Sequence, residues 1–511
     1  MFAEELKKAR NIYDIMAISY MHILNEVESK DTNLKSNDVS IKQLLAKYIE
    51  DKVSIPCKAF IDLKRGLTTL YMMNKFSSSD FYELLIEIDC HVIYNYRGSS
   101  LSDDAFITYP SLNICYNDNI KIFPMLLVNY KEQLGKTYLN IYQQNYLRDK
   151  KSYDTLSINA KLKNYIIYSS KKYNIFVHEL IEYQDFTKQI NDKKALNIAL
   201  FPITSINIHD ILNVKYTSDK HFSIDGIKSE MESLLEKRCK KFIENLDDNI
   251  DILIFPEMLM TESIVSSIKG AVKEKKLPFT FCGSVWKNKD NVCPVLYEGE
   301  EIFRYFKKIP FDLKYDKMEF QKIVDKCKNA GQKSLLIKML QEHDFKEKIV
   351  FQESLKEEFS IHLIDINKFG RIITFICRDI DDDSYMDTAK VLQGDFIVLP
   401  ACSPSNDLIS GAATLSERYH YTTVMCNTCS GMCKNKSSLE NKIIKKENIG
   451  FIVTPSKDDT SRSHRKTFYS FNEDCKNCEM QCPGYIFTVD MEELFQDIST
   501  VALNITEIDR R

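Results

Sequence analysis

The chain has 511 residues and a mass of 59.6 kDa, more than one hydrophobic core usually serves, so two domains, or three, are expected. Its 69 Lys and Arg against 73 Asp and Glu leave a formal net charge of −4, so no global basic surface recommends nucleic acid or an anionic membrane as a partner. The N-terminus MFAEELKKARNIYDIM puts acidic residues where a secretory leader needs a basic end, and no apolar run approaches the roughly 18–20 residues of a membrane helix; a cytoplasmic protein is expected.

In chain order, residues 1 to about 95 place apolar side chains at helical spacing, with Ile12, Met16, Met21, Ile23 and Leu24, then Leu44, Leu45 and Ile49, then Phe60, Leu63, Leu67 and Leu70. From about 105 to 190 the pattern is mixed and rich in Tyr, Asn and Lys, with no motif chemistry. Residues 1–193 are therefore expected to form a mostly helical domain, a scaffold or a dock for a protein partner. From 194 strand and helix patterns alternate. ALNIALFPI (195–203) and DILIFPE (251–257) are continuous apolar runs, as suits strands buried on both faces. IDGIKSEMESLLEKRCKKFIENL (224–246) reads as an amphipathic helix. FTFCGSVW, EEIFRYFKK, FSIHLIDI, GRIITFIC and DFIVLP follow as strands, which makes the fold class α/β with a large mixed sheet.

Three polar residues stand at the ends of these strands: Glu257 after DILIFP, Lys307 in EEIFRYFKK and Cys377 after GRIITFI. Each is ordinary alone. Together they form a chemical set, because a carboxylate can take a thiol proton, a thiolate can attack an amide or nitrile carbon, and an ammonium can stabilise the oxyanion that develops.

The blocks from about 195 to 497 resemble the nitrilase superfamily, the carbon-nitrogen hydrolases, in order: ALNIALFPI, DILIFPE, CGSVW, GEEIFRYFKK, GRIITFICRDI, GDFIVLPACSPS, TTVMCNTCSG with Asn427, IGFIVTP and GYIFTVDMEEL. The resemblance implies an αββα sandwich over 194–500, with Glu257 as base, Lys307 (Lys308 as the fallback) as oxyanion partner and Cys377 as nucleophile. It further implies hydrolysis of a small amide or nitrile through a thioester, no cofactor for that chemistry, and a homo-oligomer, a dimer or higher.

The chain also departs from the family. A charged, largely helical insertion occupies about 312–358, where a second active-site glutamate is usual; Glu319 is a candidate for it. The acidic run Asp379, Asp381, Asp382, Asp383 reads as a solvated loop. Fifteen cysteines in an intracellular chain are reduced thiols, metal ligands or catalysts rather than a disulfide framework. CKNCEMQC, in an extended loop at about 456–483, supplies Cys475, Cys478 and Cys482. With Cys433, or Cys429, these suit a tetrahedral structural zinc; otherwise they are reduced thiols. A second class of function stays open, a nitrilase-fold oligomeric scaffold or effector of a bacterial antiviral defence assembly with little or no turnover, although the chain has no Tyr-x-Asp-Asp polymerase signature.

Overall fold

The computed structural model describes residues 2–27, 45, 57–74, 78–91, 106–110, 119–124, 162, 165–169, 173–180, 183–193, 195–204, 206, 208–287, 290–356, 358–366, 369–392, 394–403, 408–419, 421–428, 448–455, 462–469, 484–490 and 498–503. Two compact units emerge. One joins Met1–Thr187 to Phe359–Ile372 and Asp387–Asp395, and the other comprises Lys188–Glu358, Ile373–Met386 and Phe396–Arg511.

In the first unit, helices Phe2–Lys8, Ile12–Val27, Cys57–Asn74 and Ser78–His91 carry the helical periodicity of the sequence. Their apolar faces, with Phe2, Ile15, Leu63, Leu67 and Leu84, close one core with Ile122 and Ile167. The last two lie on the antiparallel pair Ile120–Pro124 and Tyr165–Ser169, so the mixed Tyr-, Asn- and Lys-rich stretch supplies strands to a unit whose helices come first. Asn174–Leu180 pairs antiparallel with Phe106–Pro110 and parallel with Ser360–Ile366. Arg371 is buried here, bonded through both Nε (2.6 Å) and Nη2 (2.7 Å) to Asp365 and through Nη1 to the Leu392 carbonyl. A fork of this geometry satisfies a buried guanidinium where a lysine could not.

In the second unit, the apolar runs form strands buried as expected. Ala195–Leu200 runs parallel to Ile252–Ile254, which runs parallel to Phe279–Phe281. Asp290–Tyr297 continues the sheet antiparallel, flanked by Val285–Lys287 and Glu300–Phe306, and Gly484–Asp490 closes on Ala195–Leu200 from the other side. A second set pairs Phe396–Pro400 in parallel with Thr422–Cys426, then antiparallel with Asn448–Pro455 and Ser463–Tyr469. Helices Ser229–Glu244 and Glu262–Lys275 bury Leu235, Phe242, Ile264 and Ile268 against the first set, and Leu408–Tyr419 packs on the second. This is the α/β architecture with two sheets and outer helices that the sequence predicts.

Two local expectations change. The helix read over 224–246 starts only at Ser229, because His221–Ile227 is a strand whose Phe222, Ile224 and Ile227 point inward. The insertion is not simply helical either. Its helices Lys317–Lys326 and Ala330–Glu342 are bracketed by strands Asp312–Tyr315 and Ile349–Glu353. These strands extend a small sheet through His221–Ile227 to Leu212–Tyr216, and Tyr216, Phe320, Leu336 and Phe351 form its core. Pairing partners as distant as His221 and Gln352 are invisible to local periodicity. Among the described residues no helix is long and apolar enough to cross a membrane.

Candidate active site

Glu257 is placed by a strand that is forced to stop. The Phe255 N–H still bonds across to the Phe281 carbonyl (3.0 Å), but Pro256 has no N–H and ends the ladder. The chain then turns sharply, with Met258 at φ 71° and its N–H donating to Ser284 Oγ (2.8 Å). Opposite lies Gly283 at φ 71°, where an added Cβ would stand 2.1 Å from the Pro256 carbonyl oxygen. The Gly-Ser pair of CGSVW thus has a physical reason: glycine permits the close approach and serine receives the orphan amide. Gly283→Ala is expected to push the 256–258 turn aside and lower the thermal midpoint by several degrees, as a loss of about 1–3 kcal/mol requires; thermal denaturation followed by circular dichroism checks it.

Lys307 follows Glu300–Phe306, and its N–H donates to the Asn291 carbonyl (2.8 Å) on the neighbouring strand. Its Nζ lies 2.7 Å from Glu257 Oε1 and 2.7 Å from Glu353 Oε2, all three side chains fully enclosed. Lys308 instead lies over the Tyr305 and Phe306 rings, so the lysine that joins Glu257 is Lys307. Burial opposes the charge on Lys307, yet the Glu257 and Glu353 carboxylates outweigh it and hold the ammonium well above the ordinary lysine range.

Glu353 is the carboxylate that sequence reasoning missed. It ends Ile349–Glu353, accepts from the Phe311 N–H (2.8 Å) as well as from Lys307, and burial raises its proton affinity against the pull of Lys307. Glu319, the sequence candidate for this role, is occupied elsewhere: with Asp316 it forms the capping box that starts helix Lys317–Lys326. Asn291 lies between the two carboxylates and donates from Nδ2 to Glu257 Oε1 and to Glu353 Oε1, each at 2.9 Å.

Cys377 opens the 3₁₀ turn Cys377–Asp381 at φ 50°, a left-handed conformation that a non-glycine residue adopts only when its surroundings impose it. Asp379 imposes much of it. Its Oδ1 accepts from Lys308 N (3.0 Å) and Ile309 N (2.8 Å), and its Oδ2 from Ile376 N (3.1 Å) and Tyr305 Oη (3.1 Å). One carboxylate therefore ties the thiol's turn to the segment just after Lys307. The run does not form the expected solvated loop: Asp379 is completely buried, while Asp381, which closes the 3₁₀ turn, and Asp383, which opens helix Asp383–Leu392, are exposed. Burial lifts Asp379 to about 6 against the backbone donors that favour its charge.

The Cys377 thiol is itself buried, and burial together with the nearby Glu257 charge raises it well above the usual thiol range despite Lys307. Burial and the Glu257 charge thus favour the thiol over the thiolate. Among the described residues Glu257 Oε2 accepts only the Cys402 N–H (3.1 Å), whereas Oε1 is engaged by both Lys307 and Asn291. The 401–403 segment that supplies this N–H is held by Asn427, whose Oδ1 accepts from Ser403 N (2.9 Å) and whose Nδ2 donates to the Ser403 carbonyl (3.0 Å). The Asn noted in TTVMCNTCSG thus fixes the roof of the site.

The proposed zinc ligands Cys433, Cys475, Cys478 and Cys482, and the alternative Cys429, lie outside the described residues. Cys239, Cys282, Cys293, Cys327, Cys377, Cys402 and Cys426 are free thiols, and among the described residues no group of three or more His, Cys, Asp or Glu side chains is arranged to hold a metal.

Solved structures to which the chain is similar include members of the nitrilase superfamily. Nit3 of Saccharomyces cerevisiae, a branch 10 member of that superfamily, is 12% identical over 62% of this chain and 92% of its own, at a TM-score of 0.31. A Nesterenkonia AN1 amidase variant from the same superfamily is 11% identical over 62% and 96%, at 0.32. The glutamine-dependent NAD+ synthetase of Acinetobacter baumannii is 12% identical over 58% of this chain and 46% of its own, at 0.31. No family model and no curated protein matches the chain.

Proposed function

We propose that the chain is a thiol-dependent hydrolase that cleaves the carbon-nitrogen bond of a small amide or nitrile through a Cys377 thioester. The observation that carries this reading is the enclosed Glu257–Lys307–Glu353 ion set beside the Cys377 thiol. Buried charges cost so much to desolvate that a stabilising core would do as well with apolar side chains; clustered carboxylates and an ammonium around a thiol suit chemistry better than stability.

In the proposed cycle Glu257 takes the Cys377 proton as the sulfur bonds to the amide carbon. The oxyanion is met by Lys307 and by a backbone N–H near Arg378. The carbon-nitrogen bond then breaks, the proton passes to the departing nitrogen, and ammonia or an amine leaves. Water, deprotonated by Glu257, attacks the thioester and releases the acid and the thiol. A nitrile enters the same path through a thioimidate that takes up water. Ammonia release measured across a panel of aliphatic and aromatic amides and nitriles tests the reading. At least one compound is expected to be hydrolysed by the wild type and by no Cys377→Ala preparation; release that persists in Cys377→Ala contradicts it.

A further inference from the structure

The use made of Asn291 rests on the reading just given and adds a residue to it. Asn291 is 1% exposed, and its one side-chain nitrogen donates to Glu257 and to Glu353 at equal distances of 2.9 Å. Its Oδ1 is buried and has no hydrogen-bond partner among the described residues. A buried orphan acceptor is costly. Turning the amide over would not help, since Oδ1 would then face two carboxylate oxygens. The orientation is therefore imposed by the two acids, and donation to both is worth the orphan.

We propose that Asn291 is a positioning residue that clamps Glu257 and Glu353 on either side of Lys307 and, by occupying Glu257 Oε1, leaves Oε2 as the atom that receives the Cys377 proton. The oxygen inventory fits. Among the described residues Glu257 Oε1 takes Lys307 Nζ and Asn291 Nδ2, whereas Oε2 takes only the Cys402 N–H. Glu353 Oε1 takes Asn291, and Glu353 Oε2 takes Lys307 and the Phe311 N–H, so each acid keeps one singly engaged oxygen; Glu257 is the one whose charge bears on the Cys377 thiol. The ionisable groups that bear on this pair are Lys307, Cys377 and Cys402, with Asp379 acting on Lys307. Two carboxylates around one ammonium compete for a proton, and a donor shared between them favours the doubly ionised state. Without it the pair takes up a proton at higher pH, and the base is lost.

The test follows alkylation of Cys377 by iodoacetamide as a function of pH, read by peptide mass spectrometry, so that it needs no substrate. Wild type is expected to show a labelling rate that falls on the acid side as the carboxylate pair protonates. Asn291→Leu should move that acid limb up by about one to two pH units and slow labelling at neutral pH about 10-fold or more, with recovery as pH is raised. Asn291→Ser, whose hydroxyl can serve one carboxylate only, should give a smaller shift in the same direction and guards against a leucine variant that does not fold. An acid limb unmoved in the folded variant overturns the role of Asn291. A wild-type rate that Glu257→Gln leaves unchanged at every pH overturns instead the reading of Glu257 as base, and the role of Asn291 with it.

Discussion

Cys377→Ala is expected to remove turnover altogether, and Glu257→Gln to lower it by about 10²–10⁴-fold, the usual contribution of a positioned general base. The two losses differ in kind. Alanine removes the atom that bonds to substrate while leaving the Lys307 contacts with Glu257 and Glu353 in place. Glutamine keeps the shape, but its single carbonyl oxygen can replace either Oε1 towards Lys307 and Asn291 or Oε2 towards the Cys402 N–H, not both, and it cannot accept a proton. The buried thiol, already held above its ordinary range, then has no route to the thiolate. Single-turnover kinetics on a substrate found by ammonia release separate the cases: the glutamine variant acylates slowly, the alanine variant never. Equal residual rates in the two would contradict the division of roles.

The second large effect concerns stability. Lys307→Met is expected to cost about 3–5 kcal/mol at neutral pH, because it leaves Glu257 and Glu353 as enclosed carboxylates with no cation between them. The sign of the pH dependence follows from linkage. Without the ammonium, at least one carboxylate has a folded pKa above its unfolded value, so folding takes up a proton; that contribution is present at low pH and is lost as pH rises through the folded pKa. The deficit relative to wild type should therefore shrink on acidification. Adding Glu353→Gln to Lys307→Met should recover a good part of the loss by removing one of the opposed charges. Denaturant midpoints for wild type, single and double variants at pH 5 and 8 measure this, and a deficit that is constant with pH and unrelieved in the double variant would refute it.

Two parts of the site legible in sequence share one signature, a polar residue after a continuous apolar run: Glu257 after DILIFP and Cys377 after GRIITFI follow strands whose burial the run announces. Lys307 follows EEIFRYF, where Arg304 interrupts the run and buried residues alternate with partly exposed ones, so it is legible through its place in the chemical set rather than through the run. Glu353 ends a strand too, but IVFQE alternates buried and exposed residues between charged flanks, so it reads as part of a solvated insertion. Asn291 near the start of DNVCPVLY looks like an ordinary strand entry. Its importance appears only from the pairing that sets Val292 opposite Phe306 and so brings Asn291 beside Lys307. Asp379 lies two residues after Cys377, but the acidic residues that follow it give the whole run the pattern of a solvated loop. Both Glu353 and Asn291 depend on partners brought together by tertiary pairing. Local pattern reports which face of an element is buried, not what it is buried against.

The central claim is that Cys377 carries the acyl group of the substrate. Acid quenching during turnover of an amide, followed by peptide mass spectrometry, tests it most directly. The account predicts an acyl thioester on the peptide containing Cys377, lost on treatment with hydroxylamine and absent from Glu257→Gln at early times. Ammonia release with no adduct on that peptide, or with the adduct on another residue, would contradict it.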